Sequence, residues 1–146
     1  IAHPVPVQIP KLINIIAIKQ RFAGHTRQAG MIASQVHSAA YMNRFTILVD
    51  EDVDPFDTDA VLWAMATRCD PATDILSIDR CWSSNLDPLV TPGQVTFNSR
   101  AIIDACRPWE KLKDFPKVTE RTPEYKAEII KKWGDRIFGM DRRYGT

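Results

Sequence analysis

The run LINIIAIK, Leu12 to Lys19, is almost continuously apolar and rich in Ile, which predicts a short strand covered on both faces. Phe22-Ala23-Gly24 interrupts it. From His25 to Ala40 the apolar positions Ala29, Ile32, Ala33, Val36 and Ala40 recur at helical spacing, so one helix face is expected to be buried. Asn43 and Arg44 end that segment, and FTILV, Phe45 to Val49, predicts a second buried strand. A helix is expected from Thr58 to Arg68, with Val61, Leu62 and Met65 as its stripe and Trp63 on an adjoining face. Asp57 or Thr58 can cap its start, Asp57 and Asp59 suit the positive end of its dipole, and Arg68 suits the negative end. Asp70-Pro71 stops it, and Asp74 to Ile78 reads as a third strand.

Strand, helix, strand, helix, strand predicts right-handed crossovers and an α/β fold. The expected form is a three-layer sandwich, a mostly parallel sheet with helices on both faces and a C-terminal helix. Beyond Ile78 the period is lost. Asp79 to Asn98 carries Pro88, Pro92 and Gly93 and reads as a long loop, functional or packed on a partner. RAIIDAC, Arg100 to Cys106, predicts a short fourth strand. After the irregular stretch Trp109 to Glu120, Thr122-Pro123-Glu124 is a strong helix start. Tyr125, Ile129, Trp133 and Ile137 follow as a stripe that ends at Gly139. The pro-rich opening IAHPVPVQIP and the missing initiator Met suggest a piece of a longer protein. Residues 1–11 are then a linker from an absent upstream domain, 12–138 the α/β domain and 139–146 a tail.

Composition changes this picture little. A chain of 146 residues suits one domain, and a net charge of +1 gives no case for nucleic acid or a membrane surface. No apolar run is long enough to span a bilayer. Cys69, Cys81 and Cys106 are odd in number and lack C-x-x-C spacing, which favours reduced, inert thiols in a cytoplasmic protein over disulfides or structural zinc.

The chemistry-bearing stretch is VDEDVDPFDTDAVLWAMATRCDP, Val49 to Pro71, which holds six carboxylates, Asp50, Glu51, Asp52, Asp54, Asp57 and Asp59. A calcium loop fails at once, because Pro55 stands where Gly is required and Val61 where a bidentate Glu is required. A receiver-like domain binding magnesium or an anion at strand ends is the rival reading, with Asp79 as the further carboxylate. The plainer reading makes the carboxylates a strand edge that caps the next helix and pairs with Arg68, Lys19 or the arginines of the first turn. That turn, KQRFAGHTRQAG, sets Lys19, Arg21, His25 and Arg27 about a Gly-opened helix start, which makes them candidates for an anion or cofactor phosphate. Neither G-x-x-x-x-G-K-[ST] nor G-x-G-x-x-G is present, and no nucleophile elbow or metal motif occurs. Apart from the magnesium rival, no residue is assigned a catalytic or a metal-ligating role. Trp82 and Trp109, in irregular segments, are candidate interface anchors.

Taken in order, IAIKQRFAGHTRQA, NRFTILVDEDVDPFDTDAVLWAMATRCDPATDI, NLDP and IIDACRPW resemble the C-terminal region of the UbiD family over roughly Ile15 to Phe138. The most specific parts are D-[DE]-D-[VI]-D after a strand, then V-[IL]-W-A and T-R-x-x-P, and later [IL]-D-A-x-x-x-W. Members are prenylated-FMN-dependent decarboxylases of aromatic and unsaturated acids. The resemblance implies a parent enzyme whose split-barrel domain holds the prenylated FMN, a divalent metal, potassium, the substrate and the catalytic Arg and Glu residues. This chain would supply only the C-terminal domain, binding no cofactor itself, inactive alone and part of a homo-oligomer. Its partners would be the missing N-terminal and split-barrel domains. Some members bring a Lys close to the cofactor from the helix before the second strand. Gln35 to Ala40 has none, and His37 is the nearest basic residue. For assembly, the Asp79 to Asn98 segment and the Tyr125/Ile129/Trp133 face are the expected buried surfaces.

Overall fold

The computed structural model describes residues 13–36, 43–89, 91, 93, 96–118 and 122–137. The expected linker 1–11, Leu12, His37, Ala40 and the tail 139–146 lie outside these residues. The chain divides into two compact units, Ile1–Phe115 and Pro116–Thr146.

The first unit contains β1 (Ile13–Ile18), α1 (His25–Gln35), β2 (Phe45–Asp50), α2 (Thr58–Arg68), β3 (Ile75–Trp82), β4 (Phe97–Ala105) and a 3-10 turn (Trp109–Lys111). The strands form one four-stranded mixed sheet in the order β1-β2-β4-β3. β1 and β2 are parallel, as are β2 and β4, whereas β3 and β4 are antiparallel. This corrects the expected parallel third strand. Among the described residues no helix lies between β3 and β4, and the two strands pair as an antiparallel hairpin. The stretch from Asp79 to Asn98 is correspondingly less irregular than its sequence suggests, since β3 runs to Trp82 and β4 begins at Phe97.

Alternation along β2 and β4 divides the core between two faces. Ile47, Val49, Ile103 and Ala105 pack with Val61 and Ala64 of α2 on one face. Leu48, Ile102 and Cys106 lie on the other, together with Ala29 of α1. The stripe of α2 is Val61, Ala64 and Arg68, while Leu62 is exposed, a correction to the expected stripe. The same holds for α1. Thr26, Gly30 and Ser34 are its buried residues, and Ile32 is 60% exposed. The cause is distance. A Cβ on Gly30 would stand 2.5 Å from Ile102 Cγ2 and 2.9 Å from Leu48 Cδ2, so the helix backbone lies close against the sheet at Gly30. β1 is only partly covered, in contrast to β2, where five of six residues are buried.

The second unit carries α3 (Pro123–Ile137), which starts where Thr122-Pro123-Glu124 predicts. The Thr122 hydroxyl accepts from the Tyr125 N–H at 3.3 Å. The Glu124 carboxyl is held below its ordinary range by a backbone hydrogen bond and by Thr122.

Candidate functional site at the carboxyl ends of the parallel strands

In a sheet of this kind, ligands bind where successive strands send their connections to opposite faces. β1 leads to α1 on one face and β2 to α2 on the other, so the crevice lies between Lys19-Gln20 and Asp50-Glu51-Asp52. Side chains of the protein itself bridge that crevice. Gln20 Nε2 donates to Asp50 Oδ1 and to the Arg107 carbonyl, both at 2.9 Å, joining the ends of β1, β2 and β4.

Asp50 is the hub. It is 3% exposed, and its Oδ2 accepts from Arg68 Nη1 at 2.8 Å, from the Arg107 N–H at 2.8 Å and from Arg107 Nε at 3.0 Å. Arg68 also grips Asp52 in a fork, Nη1 to Oδ1 at 2.8 Å and Nη2 to Oδ2 at 2.9 Å. That pairing holds the Asp52 carboxyl below the usual carboxylate range, against the opposing effect of burial. Burial alone would favour a neutral Arg68, but the two aspartates outweigh it and hold the proton more tightly. The Arg68 guanidinium also lies 5.0 Å from the Trp63 ring centroid.

The other carboxylates of the stretch have local tasks. Glu51 pairs with Lys19 at 3.0 Å on the surface. Asp54 accepts from the Phe56 N–H. Asp57 caps α2, accepting from the Asp59 and Ala60 N–H groups at 3.0 and 3.1 Å. Among the described residues no group of three or more His, Cys, Asp or Glu side chains is placed to hold a metal ion.

The receiver-like arrangement is overturned by the strand direction. Asp79 lies across from Ser99, near the start of β4, because Ile78 pairs with Arg100 and Cys81 with Asn98. Asp50 follows Val49, which pairs with Ala105 at the other end of β4. Six residues of extended strand separate Ser99 from Ala105, roughly 20 Å.

The four cations of the first turn take divergent directions. Lys19 turns to Glu51 beside β2, whereas Arg27 Nη2 donates to the Thr73 carbonyl just before β3, at the far side of the sheet. Arg21 is exposed, and the His25 ring rests on Phe22 with centroids 4.5 Å apart. The four cations are thus spread about the turn and do not converge on one point. Cys81 and Cys106 are buried and Cys69 half-buried. Burial raises the Cys106 thiol far above its ordinary range, and burial with the Asp74, Asp104 and Asp70 charges raises that of Cys69, so neither is a ready nucleophile.

Sequence reasoning missed a second polar cluster, at the opposite end of the sheet. Asp87 of the NLDP segment is buried. It accepts from Arg44 Nη2, Ser83 Oγ (2.9 Å), Asn98 Nδ2 (3.3 Å) and the Leu89 N–H (3.0 Å). Burial pushes its carboxyl up, but these donors outweigh that and hold it low. Arg100 is 2% exposed and donates to the Asn98 amide oxygen and to the Ser34 and Trp82 carbonyls. It thereby supplies the cation that the last turn of α1 lacks. The signals were Arg44 directly before an apolar strand and an Asp directly before Pro in a long loop.

Residues 5–105 match the family profile of the 3-octaprenyl-4-hydroxybenzoate carboxy-lyase C-terminal domain. The chain belongs to this family, the UbiD family. It is 37% identical over 132 residues to a phenolic acid decarboxylase of Escherichia coli O157:H7, a match covering 88% of the chain and 26% of that protein. A phenolic acid decarboxylase of Sedimentibacter hydroxybenzoicus is 33% identical over 126 residues, covering 80% of the chain and 26% of its own length. Among solved structures, the 3,4-dihydroxybenzoic acid decarboxylase of Enterobacter cloacae superposes with a TM-score of 0.64 at 30% identity, covering 82% of this chain and 26% of that one. The closed form of S. hydroxybenzoicus vanillic acid decarboxylase gives 0.62 at 29% identity, covering 81% and 25%. The UbiD chain thus spans about a quarter of the relatives it matches. Among the described residues no helix is long and apolar enough to cross a membrane.

Proposed function

We propose that this chain is the C-terminal assembly and lid domain of a carboxy-lyase acting on an aromatic or conjugated carboxylic acid. The observation that carries the reading is the 37% identity over nearly the whole chain to one quarter of a phenolic acid decarboxylase. In the parent enzyme the prenylated FMN, which supplies an electron sink for loss of CO2, sits with a divalent metal and potassium in the split-barrel domain. The Asp50–Arg68–Arg107 network gives this domain a rigid strand edge, and the exposed Phe56, Leu62 and Trp63 of the α2 side offer apolar area for packing. Homo-oligomer formation and a cytoplasmic setting belong to the same reading, as does the three-layer arrangement about a mostly parallel sheet.

The test exchanges domains. The chain alone, given prenylated FMN and 3,4-dihydroxybenzoate, is expected to release no CO2. Grafted in place of the C-terminal quarter of the E. coli phenolic acid decarboxylase, it is expected to restore turnover that the truncated enzyme lacks. Turnover by the isolated chain at the rate of the intact enzyme would defeat the proposal.

A further inference from the structure

We propose that the cavity beside the β3–β4 hairpin, lined by both Arg44 and Arg80, binds a carboxylate carried on an apolar body. The cavity measures about 500 Å³, and its walls include Arg44, Asp79, Arg80, Leu89, Phe97 and Ser99. It lies at the opposite end of the sheet from the Asp50 network and stands apart from the carboxy-lyase reading.

The backbone supplies the first observation. Asp79 and Arg80 together oppose Ser99, a bulge in the β3–β4 ladder. Arg80 sits at φ +53°, the positive-φ position among the described non-glycine residues. Glycine takes this conformation freely, whereas an L side chain there is strained. Bulges re-aim side chains, and this one lays the Arg80 guanidinium over Phe97, 5.0 Å from the ring centroid. Among the described residues that guanidinium makes no hydrogen bond or ion pair. The contact with Phe97 is then the one return the fold shows, among the described residues, for holding an arginine at this strained position.

The second observation is Arg44. Arg44 is largely buried and fixed by the fully buried Asp87, itself held by Ser83, Asn98 and the Leu89 N–H. A guanidinium carries five N–H donors, so most of those on Arg44 remain after its bond to Asp87. Two arginines, one fixed by an ion pair and one resting on an aromatic ring, therefore line a cavity together with the exposed side chains of Leu89 and Phe97. Planar guanidinium groups recognise carboxylates by paired hydrogen bonds, and the two apolar side chains can cover a ring or short chain attached to the carboxylate. Asp87 offsets the charge of Arg44, and Asp79 that of Arg80. The wall is close to neutral, so it suits a monoanion better than a phosphate dianion. The expected affinity is weak, with Kd on the order of 1 mM.

Benzoate is the probe, followed by amide chemical shifts of the intact chain. Saturable shifts centred on Phe97, Ser99 and Leu89 are expected. Benzyl alcohol, which keeps the ring without the charge, and inorganic phosphate, which keeps charge without a ring, are expected to give none. Absence of saturable shifts, equal shifts with either control, or shifts centred elsewhere would each overturn the proposal. Arg80→Gly separates binding from folding. It relieves the positive φ, so Tm is expected to rise while benzoate affinity falls at least tenfold. A fall in Tm with unchanged benzoate affinity would make Arg80 a folding element and remove the site.

Discussion

Arg68 is the side chain on which the strand edge turns. Its side chain is 2% exposed, and it serves two aspartates at once, so its removal leaves Asp50 a buried carboxylate without its principal counter-charge. Breaking such a pair from one side costs about 3–5 kcal/mol, far more than the pair contributes over an apolar replacement. Arg68→Ala is expected to lower unfolding free energy by about that amount in urea at neutral pH. The loss should shrink in acid. Asp52 is held below its ordinary range in the fold, so its stabilising share is complete above about pH 4 and is lost as pH falls through the lowered folded value. Equal losses at pH 7 and pH 3 would show that Arg68 acts by packing on Trp63 and not through charge. The sequence offered Arg68 as one partner among Lys19 and the arginines of the first turn, and only the fold selects it for both Asp50 and Asp52. Arg107 was not among them, since it reaches Asp50 across 57 positions of chain and only the adjacency of β2 and β4 brings them together.

At the scale of the element, α1 shows where pattern and packing part company. The spacing of Ala29, Ile32, Ala33 and Val36 identifies a helix correctly, and Ala29 packs on the core, but Ile32 is exposed and Val36 ends the helix. Hydrophobicity ranks Ile32 as the anchor. The sheet selects by size: the buried positions are Thr26, Gly30 and Ser34, and at Gly30 the approach of Leu48 and Ile102 leaves no room for a side chain. Gly30→Ala sets these two effects against each other. Alanine improves helix propensity by about 1 kcal/mol, whereas crowding two packed core side chains costs about 1–3 kcal/mol. Net destabilisation is expected, read as a Tm several degrees lower by calorimetry. A higher Tm would mean that α1 slides away from the sheet at little cost. By contrast α2 was legible at both ends, because Asp57 and Arg68 mark its termini by chemistry that depends on no distant partner.

At the scale of the whole molecule, the sequence pattern located the four strands and two α-helices of the first unit, but neither the 3-10 turn nor the order of the strands across the sheet. β4 is last in sequence and central in space, and β3 is turned against it, because a hairpin rather than a helical crossover joins the two. This inversion also separates Asp79 from Asp50 and so decides which clusters of charge can exist. It makes a further consequence testable. β2 and β4 each have a strand on both sides in the order β1-β2-β4-β3, and their residues facing α1 and α2 form the two core clusters. Amides with paired neighbours under a closed core open only with most of the unit, whereas those at a partly covered edge open locally at lower cost. Native-state hydrogen exchange is therefore expected to rank Leu48, Val49, Ile102 and Ile103 slowest and Ile13 to Ala17 faster. Protection in β1 equal to that in β2 would mean that further structure covers its outer side, as packing against the rest of a longer UbiD enzyme would do.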